Sequence, residues 1–310
     1  MKNNKLSMSN ININANMIDQ RIDNFLIKNL KKLPRSMIYR IIRIGTVQVN
    51  QKKVKPKYKL KLGDLVTIPP FIPNNFLKKK TKIPRKITDM LIKRILYEDN
   101  YLLIINKPSG IAVHGGSGLS FGIIEIFRFL RPSDQSLELV HRLDKDTSGI
   151  LILSKKNSAL RILHQQLREN KIKKSYLALV HGRWPNNIKQ ICSPLLKNHK
   201  NLVSINNQGK PSKTYFKIKK LYSTTTLMSI IPVTGRTHQI RVHTLSIGHP
   251  IVFDNRYGNS KLDKNLDSNH SKKLLLHANK ITFIHPNSEQ KISINAILDS
   301  HFKYYLSQLI

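Results

Sequence analysis

The chain has 310 residues, a length that suits about two domains, and its single cysteine, Cys192, excludes an intrachain disulfide and a cysteine-based zinc cluster. Lys and Arg supply 54 residues against 17 Asp and Glu, a net charge of +37 spread along the whole sequence, which points to a polyanionic partner such as nucleic acid. No apolar run approaches the roughly 20 residues that span a bilayer, and no amphipathic anchor for a membrane surface is evident.

The first sixteen residues, MKNNKLSMSNININAN, are polar and Asn-rich, without an apolar stretch of signal-peptide type. Residues 1–16 are therefore expected to be a disordered tail, and the protein to stay in the cytoplasm. Ile22, Phe25, Leu26 and Leu30 then recur at helical spacing. A second helix is expected after Pro34, with Ser36 as its cap, Ile38, Ile41 and Ile42 facing inward, and Gly45 as its stop. Val47 and Val49 alternate as a short strand, Asn50-Gln51 is a turn, and Leu65 to Ile68 is a second strand after the Gly63-Asp64 turn. Two basic helices and a β-ribbon thus make a small unit over residues 17–70.

Pro69 to Lys86 holds four prolines and three consecutive lysines, and residues 71–88 are expected to form a basic linker. A mixed α/β pattern follows over residues 89–310. Strands are expected at 101–105, closed by Asn106-Lys107-Pro108-Ser109-Gly110, and at 137–140, 150–153, 176–180, 214–219 and 227–231. Helices are expected from Ser158 to Arg168 and after a Thr237 cap, the latter carrying Ile240, Thr244 and Ile247. Residues 259–273 lack any apolar rhythm and read as a mobile loop.

Three segments could carry chemistry. Asp144 lies in a polar loop between two apolar strands, where a scaffold presents a side chain rigidly, although a loop aspartate on its own is more often a turn-former. Thr234 to His243 gathers two arginines and two histidines at a helix start, a natural anion site. His238 and His243 are five residues apart, not the four of a helical zinc pair, so no metal is expected. Gly118-Leu119-Ser120-Phe121-Gly122 fits the G-x-S-x-G pattern, but loop rather than strand leads into it, and the serine hydrolase reading fails. Its glycines more readily let the backbone pass close to RNA or to another chain segment.

His141-Arg142-Leu143-Asp144-Lys145-Asp146-Thr147-Ser148-Gly149 resembles the H-R-L-D-x-x-T-S-G signature of the RNA pseudouridine synthases. Asn106 to Gly110 leading to His114, Tyr176 to Gly182, and Thr234 to His243 are similar to further segments of that family, in the same order. The front unit resembles an S4 RNA-binding domain through Arg21-Ile22-Asp23, Ser36 to Gly45, Val47 to Asn50 and Gly63-Asp64. The resemblance implies an α+β protein: an S4-type helix and β-ribbon domain, then a catalytic domain on a mixed, mainly antiparallel sheet with flanking helices. It implies conversion of uridine to pseudouridine, most simply in large-subunit ribosomal RNA, with a non-catalytic RNA-binding or ribosome-assembly factor as the alternative. Asp144 resembles the catalytic carboxylate, Tyr176 the aromatic against the target base, Arg241 the ion-pair partner of the aspartate, and Arg142 the arginine that fills the space of the flipped base. Arg21, Arg35, Arg40, Arg43, Asn50, His114, Arg236 and His238 are the further RNA-binding candidates. The carboxylate could attack ribose C1′ or uracil C6, or remove a ribose proton. No cofactor is expected, because the isomerisation needs no redox change or group carrier, and a monomer is expected.

Overall fold

In a computed structural model the chain divides into two compact units, Met1–Thr81 and Lys82–Ile310. The structure describes residues 9–30, 33, 35–68, 83–115, 121–134, 136–198, 202–266 and 273–309.

The first unit consists of β1 (Ser9–Asn12), α1 (Ile22–Asn29), α2 (Arg35–Ile44), β2 (Gln48–Val49) and β3 (Leu65–Ile68), in sheet order β1-β3-β2. Residues 9–12 correct the expectation of a disordered tail, which residues 1–8, outside the described residues, do not bear on. The isoleucines hidden among the asparagines alternate, so β1 pairs antiparallel along β3 from Ser9↔Ile68 to Asn12↔Leu65, and Ile13 is buried. α2 begins at Arg35, one residue before Ser36, the expected cap. The helix turns Met37, Ile38, Ile41 and Ile42 into a core with Ile22, Leu26, Val49 and Val66, while Arg35, Arg40 and Arg43 lie on its exposed face. Asn50 and Gln51, both at positive φ, make the hairpin turn after β2.

Most of the expected linker lies outside the described residues, but its last part is helical: α3 (Arg85–Ile92) turns Thr88 and Leu91 inward. The second unit continues with β4 (Ile95–Glu98), β5 (Leu102–Lys107), α4 (Ile123–Leu130), β6 (Glu138–Leu139), β7 (Ser148–Ser154), α5 (Asn157–Arg168), β8 (Lys173–His181), β9 (Gln190–Cys192), β10 (Leu195–Lys197) and β11 (Val203–Ile205). Then come β12 (Lys213–Leu221), β13 (Thr225–Pro232), α6 (Gln239–Ser246), α7 (Ser260–Leu266), β14 (Leu276–Ile284), β15 (Lys291–Asn295) and α8 (Ser300–Ser307). The main sheet runs β4-β5-β7-β14-β8-β13-β12-β9, with β15 added to β14 and β6 to β7. Among the described residues only the β7–β14 contact is parallel, so the sheet is mixed and mainly antiparallel.

The apolar runs Leu102–Ile105 and Ile150–Leu153 are buried on both faces, as the absence of polar alternation requires. Leu103, Ile105, Leu151 and Leu153 pack with α4 on one side, and Leu102, Ile104, Ile150 and Ile152 with Leu163 of α5 on the other. Ser260–Leu266 corrects the expected mobile loop of residues 259–273. This helix is held by a buried polar anchor, the Asp263 carboxylate against His181 Nε2 at 2.8 Å and the Phe253 N–H at 2.9 Å. Residues 267–272 lie outside the described residues. Of the G-x-S-x-G segment, residues 118–120 also lie outside them. Gly122 opens α4, and a Cβ there would sit 2.6 Å from the His114 backbone, so the close approach that glycine allows is to another part of the chain.

Candidate active site

The loop from His141 to Thr147 leaves β6 and enters β7. Leu143 anchors it in the core beside Leu151 and Leu153, and Thr147 is buried. From the other side, the Asn106–Gly110 segment grips its backbone. Lys107 Nζ donates to the Lys145 carbonyl at 3.0 Å and to those of Pro108 and Ile111, the Gly110 N–H donates to the same Lys145 carbonyl, and Ser109 Oγ donates to the Asp146 carbonyl at 2.7 Å. His141 Nε2 accepts the Ile152 N–H at 3.2 Å. That bond requires an unprotonated Nε2, and burial, with a smaller contribution from the charge of Lys174, pushes the imidazole down to about 3. Asp144 is therefore carried on a loop fixed on both flanks, with its side chain 19% exposed.

Arg241, on the first turn of α6, meets that carboxylate: Nη1 lies 3.4 Å from Asp144 Oδ2. Its other donors are held by Asp254, Nε to Oδ2 at 2.7 Å and Nη2 to Oδ1 at 2.6 Å, with both side chains buried. Burial pushes the Asp254 carboxyl up, but the bonds and charge of Arg241 and the N–H groups of Tyr257 and Arg256 bring it below the ordinary carboxylate range. The expected Thr237 cap is corrected. His238 occupies the cap position at φ 54°, and Gln239 Oε1 satisfies the turn by accepting from Thr234 Oγ1 and the Arg236 N–H. In this left-handed conformation, His238 Nε2 lies 3.8 Å from Asp144 Oδ2 and Nδ1 lies 2.7 Å from the Tyr257 hydroxyl. The Tyr257 ring also packs 5.1 Å from the Arg241 guanidinium.

Tyr176 faces the same space from β8. Burial, and then the nearby Asp144 charge, raise its phenol well above the ordinary tyrosine value, so it is protonated at neutral pH. Around these groups opens a cavity of about 380 Å³, lined by Arg142, Asp144, Tyr176, Arg241, the 233–239 turn and, at the end of α5 and start of β8, Arg168, Asn170 and Lys174. Among the described residues lining it, Asp144 is the only carboxylate. A fixed carboxylate beside a guanidinium and a protonated phenol, in a cleft of this size, suits acid–base or nucleophilic work on one planar ring or sugar.

Of the residues singled out in the sequence, the structure brings together Asp144, Tyr176, Arg241, Arg142, Arg236 and His238 around this cavity. His114 is exposed and does not line it. Arg21, Arg35, Arg40, Arg43 and Asn50 belong to the first unit. Arg21 is tied in two bonds to the buried Asp23. Asn50 uses both ends of its amide internally, donating to Asp64 and accepting the Leu65 N–H. Among the described residues, no group of three or more His, Cys, Asp or Glu could hold a metal, and no helix is long and apolar enough to cross a membrane. Asp254, Tyr257 and Lys174 were not singled out. Asp254 and Tyr257 lie in a short polar segment, Asp254 to Gly258, with no motif of their own. Lys174 stands two residues from Tyr176 and so on the same face of its strand, a spacing that could have revealed it.

Residues 101–246 match the RNA pseudouridylate synthase family and residues 20–66 match the S4 domain. The ribosomal large subunit pseudouridine synthase C of Buchnera aphidicola subsp. Acyrthosiphon pisum is 57% identical over 310 residues, covering 98% of each chain. The enzyme of that name from Escherichia coli K12 is 49% identical over 100% of this chain and 99% of its own. Among solved structures, human RNA pseudouridylate synthase domain containing 4 superposes with a TM-score of 0.60 at 22% identity, over 73% of this chain and 97% of its own, a likeness of fold.

Proposed function

The chain belongs to the RNA pseudouridylate synthase family and is an isomerase of uridine in RNA, and from that premise we propose that it acts on large-subunit ribosomal RNA with Asp144 as its catalytic carboxylate. The observation that carries the assignment of the carboxylate is that, among the described residues, Asp144 alone supplies an acidic side chain to the cavity, where it lies beside Arg241 and near Tyr176. Support for the substrate comes from the relatives of about 50–57% identity along the full chain, all named for the ribosomal large subunit.

Pseudouridylation breaks the N1–C1′ bond, turns the uracil and rejoins it through C5; a proton leaves C5 and N1 gains one. Neither atom is reachable in a stacked helix, so the nucleotide must flip out, which costs a few kcal/mol. The cationic surface offsets that through phosphate contacts. In the cavity, Tyr176 offers an aromatic face to the base, the exposed Arg142 takes the place the base leaves in the RNA, and Asp144 works on the nucleotide. Arg241, held by Asp254, keeps the carboxylate in place throughout. The S4 domain supplies RNA contacts, with Arg35, Arg40 and Arg43 on the outer face of α2 as the cationic candidates.

The test is a pseudouridine map of ribosomal RNA from cells lacking the protein, complemented with wild type or Asp144→Asn. Specific large-subunit sites are expected to vanish and to return with wild type only. Restoration by both versions would remove Asp144 from the chemistry, and no change at any large-subunit site would remove the substrate.

A further inference from the structure

Five cations line the cavity, Arg142, Arg168, Lys174, Arg236 and Arg241, against one carboxylate. Their situations differ. Arg241 is neutralised by Asp254 and faces Asp144. Arg142, Arg168 and Arg236 are exposed, so water solvates them. Lys174 belongs to neither group: it is partly buried, and among the described residues no hydrogen bond or ion pair meets its ammonium. It shares the cavity face of β8 with Tyr176 two residues on. Across from it the turn at Gly235 is bare, and a side chain built there would begin 3.8 Å from Lys174 Nζ.

We propose that Lys174 is a substrate-binding residue whose ammonium receives a backbone phosphate of the RNA strand entering the cavity, at the gap beside Gly235. This rests on the reading of the cavity as the RNA site. A cation taken out of water without a counter-charge is destabilised, and burial alone draws the Lys174 ammonium below the ordinary lysine range. Among the described residues no carboxylate relieves that penalty; His141, its titratable neighbour on the cavity side, is neutral. The chemistry that would relieve it is an anion arriving with the substrate, and RNA carries one at every nucleotide. Phosphate is favoured over a uracil carbonyl because it neutralises the charge outright, where a carbonyl supplies only a dipole.

The experiment compares wild type, Lys174→Met and Lys174→Arg in the full-length protein, using ribosomal RNA purified from cells that lack it. Binding and turnover are measured across 50–200 mM salt, together with thermal unfolding without RNA. Lys174→Met removes a partly buried charge that has no counter-charge, so its Tm is expected to equal or exceed that of wild type. Its KM is expected to rise about tenfold or more, with kcat within about twofold of wild type. The slope of log affinity against log salt is expected to become shallower by about 0.7–0.9. Lys174→Arg is expected to restore the slope. An unchanged slope with reduced kcat would place Lys174 on the base instead and overturn the proposal. A lowered Tm with unchanged affinity would do the same, making Lys174 a support of the fold. If wild type binds this RNA without forming pseudouridine, the assigned substrate reaction fails, while the binding slopes still decide the role of Lys174.

Discussion

Asp254 holds Arg241 by two of its donor groups, at 2.7 and 2.6 Å, and leaves Nη1 directed at Asp144, 3.4 Å away. The two carboxylates flank one guanidinium unequally. The bidentate bond to Asp254 fixes the plane of Arg241, and the longer contact sets the Asp144 carboxylate beside that fixed guanidinium. Asp254 is oriented in turn by the Arg256 and Tyr257 N–H groups, both at 2.9 Å. The setting of the Asp144 carboxylate thus depends on a turn 110 residues further along the chain.

Asp254→Ala is expected to lower stability by about 3–5 kcal/mol, because it strips a buried guanidinium of its fixed partner. Asp254→Asn retains the shape and one acceptor, and is expected to cost less stability while lowering turnover about 100-fold through a misdirected Arg241. Chemical denaturation beside single-turnover kinetics checks this. Wild-type turnover in Asp254→Asn would mean that α6 alone orients the arginine.

Asp144 and Arg241 were legible because each lies in a segment that resembles the family's signature; on its own, Asp144 read as a turn-forming loop residue. Asp254 was not legible, since its partner is thirteen residues away and the bond depends on how Ile251 to Tyr257 fold back on α6. The same blindness hid β14, whose residues Leu276–Ile284 run between β7 and β8 at the centre of the sheet. Its place is decided by non-local pairing, which leaves little local signature. Residues 260–266 escaped for a different reason. Apolar periodicity finds helices that pack by a stripe, and this one is anchored by the buried Asp263–His181 contact. The strand at 9–12 was masked by its asparagines, although the alternating Ile11 and Ile13 were visible.

Acid is expected to destabilise the fold well above the carboxylate range, through His141. Its folded pKa of about 3 lies under the ordinary imidazole value of 6.5, so between these the unfolded chain binds more protons and stability falls as pH falls. The contribution is fully present above 6.5 and lost progressively toward 3, with a slope of at most about 1.4 kcal/mol per pH unit. Glu98, lowered chiefly by Arg131, and Asp254, lowered by Arg241 against its burial, add to the loss only once pH drops below the ordinary carboxyl values of 4.5 and 3.8. Denaturant unfolding from pH 7 to 4 should show the slope in wild type and a flatter curve in His141→Gln. Parallel curves would show that His141 is not the titrating group.

Gly149→Ala is expected to be among the most damaging single substitutions. The residue sits at φ 108° in β7, where β14 runs parallel to it, and a Cβ would lie 2.2 Å from the Ala278 carbonyl oxygen. Backbone strain and overpacking together amount to about 2–6 kcal/mol. Because Gly149 closes the loop that carries Asp144, thermal unfolding and activity should fall together. A folded, fully active variant would mean that β14 can yield at this contact.

Removing residues 1–81 is expected to weaken RNA binding more than chemistry. The first unit has its own core, built from Ile22, Leu26, Ile38, Ile42, Val49 and Val66, and the cavity is lined entirely by residues of the second unit. If the outer face of α2 touches phosphates through Arg35, Arg40 and Arg43, each lost contact makes the salt dependence shallower by about 0.7–0.9. Three such contacts would make the slope shallower by about 2–3, with kcat at saturating RNA nearly unchanged. Filter binding from 50 to 200 mM salt, with single-turnover rates on the same RNA, separates the two quantities. An unchanged slope would mean that these arginines face solvent in the complex, and a collapse of kcat would mean that the first unit helps to shape the site itself.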